Sequence, residues 1–364
     1  MQSPRKTRVL VGMSGGVDSS ATAALLLQQG YEVIGVTLKL WPQDCVSRAE
    51  DKCCGPQAVM DARSVCASLG IPYYLVDESA EFQRRVIGYF AEEYRAGRTP
   101  NPCVMCNQHL KFGTLLDRAR QLGCDFIATG HFARLEQSAD GSRTLLKTGR
   151  DARKDQSYFL FSLRQDQLSR ALFPLGDHTK AETREVARAC SLRTADKEES
   201  MEICFVPDRD YGRFLEQARL VERHRGDIVD TAGRKLGEHH GIEFYTVGQR
   251  KGLGLAAGHP LYVVELNPSR NEVVVGGEAD LLRATFRVTT CNWIPWEQPP
   301  ASFACLARIR HHHPGAPATV TPGPHGTATV QLHQPARAVT PGQACVFYGG
   351  EEGDLVLGGG WITG

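Results

Sequence analysis

The sequence predicts an α/β protein with a doubly wound parallel sheet, followed by a small middle domain and a C-terminal β-barrel. Two observations support this prediction. Apolar β-rich runs alternate with helical patterns through roughly the first 130 residues, which is typical of a parallel sheet. After about residue 206, short β-rich segments with glycine and proline turns replace the alternation. We place the domains at 1–207, 208–284 and 285–364.

The elements of the first domain follow from the spacing of its apolar residues. Phe82, Val86, Phe90 and Tyr94, for example, recur at helical intervals. Strands are predicted over 9–11, 31–40, 71–76 and 125–128, and helices over 21–27, 57–69, 80–95 and 110–122. Because ligands bind at the carboxyl ends of parallel strands, the site is expected where these strands end.

Less regular patterns occupy the rest of this domain. Asp140-Gly141 lies between apolar runs and predicts a hairpin. We predict a helical tract from about Ser157, a helix over 179–190, and a short aromatic strand at the end of 197–206.

The composition is that of an ordinary globular protein, with 41% hydrophobic and 23% charged residues in 364. The net charge of +1 provides no general basic field, so a nucleic-acid partner would need a local basic patch. No run approaches the ~20 apolar residues of a membrane helix, and no signal peptide is visible. We therefore expect a cytoplasmic protein without a membrane partner.

A glycine-rich turn connects the first strand to the first helix. Its sequence, GMSGGVDSS at 12–20, offers hydroxyl groups and the free N–H groups of a helix start, which suit an anion. It is not a Walker A loop, because no Gly-Lys-Ser/Thr follows. It resembles the PP-loop of the ATP pyrophosphatase superfamily, although an ordinary glycine turn is the alternative. Asp18 would repel phosphate, so we expect it to cap the helix or to hold Mg²⁺.

The chain contains 12 cysteines, a number that in a cytosolic protein indicates thiol chemistry or metal binding. Cys106 lies close to a predicted helix start, where the pKa of a thiol is lowered. Cys204 lies between Ile203 and Phe205, a setting that taken alone favours a core cysteine. For Cys53-Cys54 we favour a structural role over metal binding.

Motifs along nearly the whole chain resemble those of the tRNA-specific 2-thiouridylase (tRNA-uridine 2-sulfurtransferase) family. They are GMSGGVDSS (12–20), CCG (53–55), DARSVCASLGIPYY (61–74), GRTPNPCVMCN (97–107), KFG (111–113), ATGHFAR (128–134), KDQSYFL (154–160), FPLG (173–176), ESMEICF (199–205), TVGQRKGLG (246–254) and AVTPGQACVFY (338–348). Their shared order makes the resemblance specific.

The resemblance implies ATP-dependent replacement of the C2 oxygen of the wobble uridine in tRNA by sulfur. It implies an adenine nucleotide α hydrolase-like PP-loop domain, followed by two domains that contact tRNA. Cys204 would carry the sulfur as a persulfide, and Cys106 would be the nucleophile that resolves it or forms a disulfide with Cys204. Both loops are then expected to meet over the PP-loop. The implied cofactors are ATP and Mg²⁺, and the partners are tRNA and a cysteine desulfurase or sulfur-relay protein.

Further site residues carry over by motif. The ATP-binding residues would be Gly12, Met13, Ser14, Gly15, Gly16, Val17, Asp18, Ser19, Leu38 and Gly130. The target base would meet Asn101, Pro102 and Cys103. Contacts with tRNA would come from His131, Lys154, Asp155, Gln156, Arg310, His311 and Gln343. A structural role is the alternative for His131, and the sequence around Arg310-His311 departs from the family pattern.

Cys103 is a further departure, because family members commonly have aspartate there. An aspartate can transfer a proton, whereas Cys103 could act as a base only as a thiolate, so its role is open. With Cys106 and Cys204 it gives three thiols, which could hold a [4Fe–4S] cluster with a free iron for sulfur. That route is the alternative to the persulfide, and an amide-forming PP-loop ligase or an inactive tRNA-binding protein is a more distant one.

Overall fold

The computed structural model describes residues 6–40, 55–198, 203–206 and 210–363. Cys53-Cys54 and residues 199–202 of the ESMEICF motif lie outside the described residues. The chain forms two compact units. Unit 1 comprises Met1–Val86, Cys103–Pro207 and Asp354–Val356, and unit 2 comprises Ile87–Pro102, Asp208–Gly353 and Leu357–Gly364.

Unit 1 is built on a five-stranded parallel sheet, as the alternating pattern predicted. Its strands are β1 (Arg8–Gly12), β2 (Glu32–Lys39), β3 (Tyr73–Asp77), β4 (Phe126–Ala128) and β7 (Ala171–Leu172), in the order β3-β2-β1-β4-β7. Leu10 of β1 pairs with Ile34 on one side and with Ile127 on the other. Because the strand order reverses at β1, a crevice for a ligand is expected at its carboxyl end.

Unit 1 contains α1 (Val17–Gln28), α2 (Pro56–Ser68), α3 (Ser79–Phe82), α5 (Pro102–Cys106, whose first residue is assigned to unit 2), α6 (Leu115–Gln121), α7 (Gln165–Leu168) and α8 (Lys180–Ala189). Helix α4 (Tyr89–Arg95) belongs to unit 2. π-helical turns over Gln83–Gly88 and Asn107–Thr114 join α3 to α4 and α5 to α6. Apolar residues of α1, α2 and α8 share one buried cluster with β1 and β2, so these helices hold the edge where β1 ends.

Three local expectations were wrong. The helix predicted from 110 begins at Pro102, because proline fits the first turn of a helix, where its missing N–H is not needed. The tract from Ser157 forms only a short 3-10 turn and α7, since fully buried Tyr158, Leu160 and Phe161 pack on all sides. The expected aromatic strand is absent from the described residues 203–206, which form a turn closed by Val206 N and Ile203 O at 3.0 Å.

The predicted hairpin is confirmed. Strands β5 (Ala133–Gln137) and β6 (Thr144–Thr148) pair antiparallel around Asp140-Gly141. On its other side, β6 pairs with Leu355, a residue of unit 1 near the end of the chain.

Unit 2 contains a four-stranded sheet and a closed barrel. The sheet orders β8 (Gly226–Asp230), β9 (Lys235–His239), β10 (Tyr262–Asn267) and β11 (Glu272–Gly276) as β10-β11-β8-β9, and α9 (Tyr211–Gln217) precedes it. The barrel strands are β12 (Leu282–Trp293), β13 (Phe303–Arg308), β14 (Ala316–Pro322), β15 (Ala328–Arg337), β16 (Ala344–Gly349) and β17 (Leu355–Thr363), and the first two residues of β17 are assigned to unit 1. Pairing of β12 with β17 closes the ring, which confirms the predicted barrel.

Within the described ranges, no helix combines the length and the apolar character that crossing a membrane requires.

Candidate ATP and thiol site

The turn between β1 and α1 has a shape that only glycine permits. Gly15 has φ +71°, and a Cβ there would lie 2.2 Å from the carbonyl oxygen of Ala58 in α2. Gly16 is the residue before the helix, and no side chain caps the helix there. The first N–H groups of α1 are therefore not covered by a capping side chain, as an anion site requires.

Serine hydroxyls hold this turn in place. Ser19 Oγ accepts from Ser14 N and donates to Gly16 O, both at 3.1 Å. Ser20 Oγ donates to the same carbonyl at 2.8 Å. The serines thus shape the loop from within.

The structure gathers the predicted ATP-binding residues at one edge of the sheet. Gly12 ends β1, Leu38 lies near the end of β2, and Gly130 follows β4. A Cβ on Gly130 would lie 2.8–2.9 Å from atoms of Asp18 and from Ser19 N. Gly130 therefore lets the loop after β4 lie directly against the start of α1.

Two lysines approach the loop, and the sequence reasoning missed both. Lys180, the first residue of α8, donates to Asp18 Oδ1 at 2.5 Å. Lys197 donates to Gly15 O at 3.1 Å and to Asp61 Oδ2 at 2.7 Å. The loop contains no lysine, so the sequence could indicate only that cations from elsewhere in the chain are needed to balance an anion. The sequence could not indicate which lysines supply this charge.

In the ion pair between Lys197 and Asp61, Asp61 is buried and only 5% exposed, whereas Lys197 is half-buried. Burial alone would raise the pKa of Asp61. Hydrogen bonds from Lys197 and Gln57, with the charges of Lys197 and Arg193, outweigh burial and lower that pKa below its ordinary value. Asp61 is therefore ionised at neutral pH and keeps Lys197 beside the loop.

The three candidate cysteines, Cys103, Cys106 and Cys204, all lie in unit 1. Cys103 and Cys106 lie on α5, and Cys103 is the closer of the two to the helix start. Burial raises the pKa of Cys103, and the charge of Lys111 offsets only part of this effect. Cys204 lies half-buried in the 203–206 turn. Its neighbour Phe205 packs edge-on against Phe82, with ring centroids 5.7 Å apart.

The side chains do not support the expected [4Fe–4S] cluster or Mg²⁺ on Asp18. Among the described residues, which include Cys103, Cys106 and Cys204, no group of three His, Cys, Asp or Glu side chains could hold a metal ion. These cysteines therefore do not fit a [4Fe–4S] cluster as they lie. Asp18 forms an ion pair with Lys180 instead of capping the helix, whose cap residue is Gly16.

Several predicted tRNA contacts already have partners within unit 1. His131 is 7% exposed, and its Nδ1 lies 2.7 Å from Thr129 Oγ1. Burial, with a smaller effect from Lys111, lowers the pKa of His131 well below its usual value, so its ring is neutral. Gln156 pairs with the backbone of Phe132 through its own N–H and its Oε1. Asp155 Oδ1 accepts from Gly149 N and Ser157 N. Lys154 is half-buried.

The remaining predicted residues belong to unit 2. Asn101 and Pro102 are both buried, and Arg310 is exposed with half-buried His311 beside it. Arg310 and Gln343 line an open cavity of about 410 Å³. Contact of these residues with tRNA stays a prediction.

Comparisons with known proteins identify the class first. Residues 7–208 match the family model described as tRNA methyl transferase HUP domain. Residues 212–277 match a tRNA methyl transferase PRC-barrel domain, and residues 283–362 match an aminomethyltransferase β-barrel domain. Fold and comparison together define a three-part protein with an N-terminal HUP domain.

The relatives then identify the family. A protein of Chloroflexus aurantiacus named tRNA-specific 2-thiouridylase MnmA is 52% identical, over 98% of each chain. Proteins of the same name from Moorella thermoacetica and Geobacter metallireducens are each 51% identical, over 97% and 100% of this chain and 98% of the relative. The chain belongs to the tRNA-specific 2-thiouridylase family.

Solved structures resemble the chain only distantly. A 4-thiouridine synthetase in complex with RNA and ATP has a TM-score of 0.36 and 19% identity, covering 58% of this chain and 50% of that one. An NMN synthetase of Francisella tularensis has a TM-score of 0.33 and 17% identity, covering 54% and 67%. These scores are too low to support an inference about this chain.

Gly130→Ala tests the contact between the loop after β4 and α1. We expect at least a tenfold loss of ATP affinity by calorimetry and a loss of roughly 1–3 kcal/mol in stability, because the added methyl group forces the start of α1 away. Gly258→Ala, where a Cβ meets open space, is the matched control. Unchanged ATP affinity in Gly130→Ala would show that this contact does not shape the nucleotide site.

Asp61→Asn tests the ion pair between Asp61 and Lys197 through its pH dependence. Since the pKa of Asp61 is lowered in the folded protein, its stabilisation is present above about pH 4 and is lost as the pH falls through the folded pKa. We expect the variant to be roughly 1–3 kcal/mol less stable at pH 7 in urea titrations, with the gap closing at acid pH. Asp117→Asn, in an exposed pair with Arg120, should change little. A pH-independent gap would contradict this account.

Proposed function

We propose that the protein catalyses ATP-dependent 2-thiolation of the wobble uridine of tRNA. One observation carries the proposal. A glycine turn shaped for an anion lies at the ligand-binding edge of a parallel sheet, in a chain about half identical, from end to end, to proteins named tRNA-specific 2-thiouridylase. Half-buried Cys204, in the same unit, supports sulfur as the incoming atom.

The loop activates the uridine. The uridine O2 attacks the α-phosphorus of ATP, the bond from this phosphorus to pyrophosphate breaks, and an O2-adenylated base results. Pyrophosphate is stabilised by the N–H groups at the start of α1 and by Lys197 and Lys180. Since Lys180 is paired with Asp18 and Lys197 with Asp61, both ammonium groups are held in place before the negative charge develops.

Sulfur then replaces the activated oxygen. A donor, either a cysteine desulfurase or a sulfur-relay protein, leaves a persulfide on Cys204. The terminal sulfur attacks C2, and AMP leaves with the former O2. The thiolate of Cys106 attacks Cys204 Sγ, which releases 2-thiouridine and forms a disulfide between the two cysteines. An external thiol must reduce this disulfide before the next turnover.

Cys103 does not serve as a base in this scheme. Its raised pKa keeps it a neutral thiol at pH 7, whereas the aspartate common in the family would be charged. We propose that Cys103 lines the base site through its position after Asn101 and Pro102. The later domains, 208–284 and 285–364, would contact the tRNA, and the reaction would take place in the cytoplasm.

Cys204→Ser tests the sulfur-carrying role. We expect 2-thiouridine formation, measured by mass spectrometry of tRNA nucleosides, to fall at least a hundredfold, because serine forms no persulfide. The affinity for tRNA should stay within about twofold. Cys190→Ser, a half-buried thiol at the end of α8, is the matched control. Thiolation that survives in Cys204→Ser would overturn this role. The activity of an amide-forming ligase, which needs no cysteine, would not change in this variant.

Lys197→Met tests the cation beside the loop. We expect kcat/KM for ATP to fall about tenfold or more, because the charge near the leaving pyrophosphate is lost. Lys235→Met, which removes an exposed lysine from unit 2, should leave this value within about twofold. A normal value in Lys197→Met would show that the loop works without this cation.

A further inference from the structure

The segment that leads into α5, residues 97–102, is bound to a barrel turn at residues 340–343. Both belong to unit 2. Thr99 N donates to Pro341 O at 2.8 Å. Gln343 Nε2 donates to Thr99 O at 3.1 Å and to Pro100 O at 3.2 Å. Three hydrogen bonds therefore join two adjacent residues of this segment to one turn.

The fit between the two stretches leaves no room for a side chain. Gly342 has φ +87°, and a Cβ there would lie 2.8 Å from Arg98 Cβ and 2.9 Å from both Thr99 N and Thr99 O. The turn itself is fixed to β17, because Gly342 N donates to Ile362 O and Ile362 N donates to Gln343 O, both at 2.9 Å. A rigid barrel strand thus supports the turn.

The other end of the segment is equally constrained. Gly97 has φ +66°, and a Cβ there would lie 3.1 Å from Pro268 Cγ and 3.2 Å from Leu266 Cβ. Arg98 forms a double hydrogen bond with Glu93, at 2.6 and 2.7 Å. The segment is therefore fixed at both ends, and its two middle carbonyls are bound by a single amide.

We propose that Gln343 is a positioning residue for the target base. Its side-chain amide orients Thr99 and Pro100, which lead directly into Asn101, Pro102 and Cys103. This inference rests on the proposed function, because it takes Asn101 and Pro102 as the residues that meet the uridine. It explains why the family resemblance places a glutamine in a barrel turn far along the chain from the base site.

Gln343→Glu distinguishes a positioning role from a direct contact with tRNA, because it keeps the side-chain shape and removes the amide donor. We expect about tenfold faster hydrogen exchange in the peptide containing Thr99, since its carbonyl loses a donor and meets a carboxylate. We also expect kcat for tRNA thiolation to fall about tenfold, with the Kd for tRNA within about twofold. Gln343→Ala should show the same pattern without the added charge. Gln334→Glu, on the exposed face of β15, is the charge-matched control.

Unchanged exchange around Thr99 in both variants would overturn the proposal. So would a weakened Kd for tRNA with unchanged kcat, which is the result expected of a direct contact. A wild-type protein that thiolates no tRNA would refute the proposed function instead. The exchange measurement would still decide whether Gln343 orders the segment.

Discussion

The close approach of Gly15 to Ala58 is the constraint on which the turn between β1 and α1, at the carboxyl edge of the sheet, depends. A carbonyl of α2 occupies the space where any other residue would place its side chain, and the positive φ of Gly15 turns the chain into α1. Lys197 binds the carbonyl of the same glycine and Asp61 of the same helix. The loop, α2 and the cation are therefore fixed together, and Gly130 closes the arrangement from the β4 side.

The part of this edge that depends on local sequence patterns was predictable from the sequence. Alternating patterns predict parallel strands, and parallel strands place Gly12, Leu38 and Gly130 at one edge. Lys180 and Lys197 were not predictable, because they lie more than 160 residues from the loop and only tertiary packing brings them there. Local reasoning also failed at Pro102, which reads as a break in a helical pattern and instead begins the helix.

For the cysteines, too, the sequence motif predicts some properties and only the structure reports others. A resemblance can nominate Cys106 and Cys204, but the protonation of Cys103 depends on how deeply it is buried, which no local pattern reports. His131 is an instructive neighbour. A motif suggests a contact with tRNA, whereas burial and Thr129 give it a satisfied place in the core. Positions within one motif can therefore serve binding, support or both.

In the proposed mechanism the loop activates the uridine oxygen itself, and oxygen labelling follows the fate of that atom. A tRNA carrying ¹⁸O at O2 of its wobble uridine would be thiolated with ATP and a persulfide donor, and the nucleotide products analysed by mass spectrometry. We expect one ¹⁸O atom in AMP and none in pyrophosphate for each 2-thiouridine formed. Unlabelled AMP, or label in inorganic phosphate released with ADP, would contradict it.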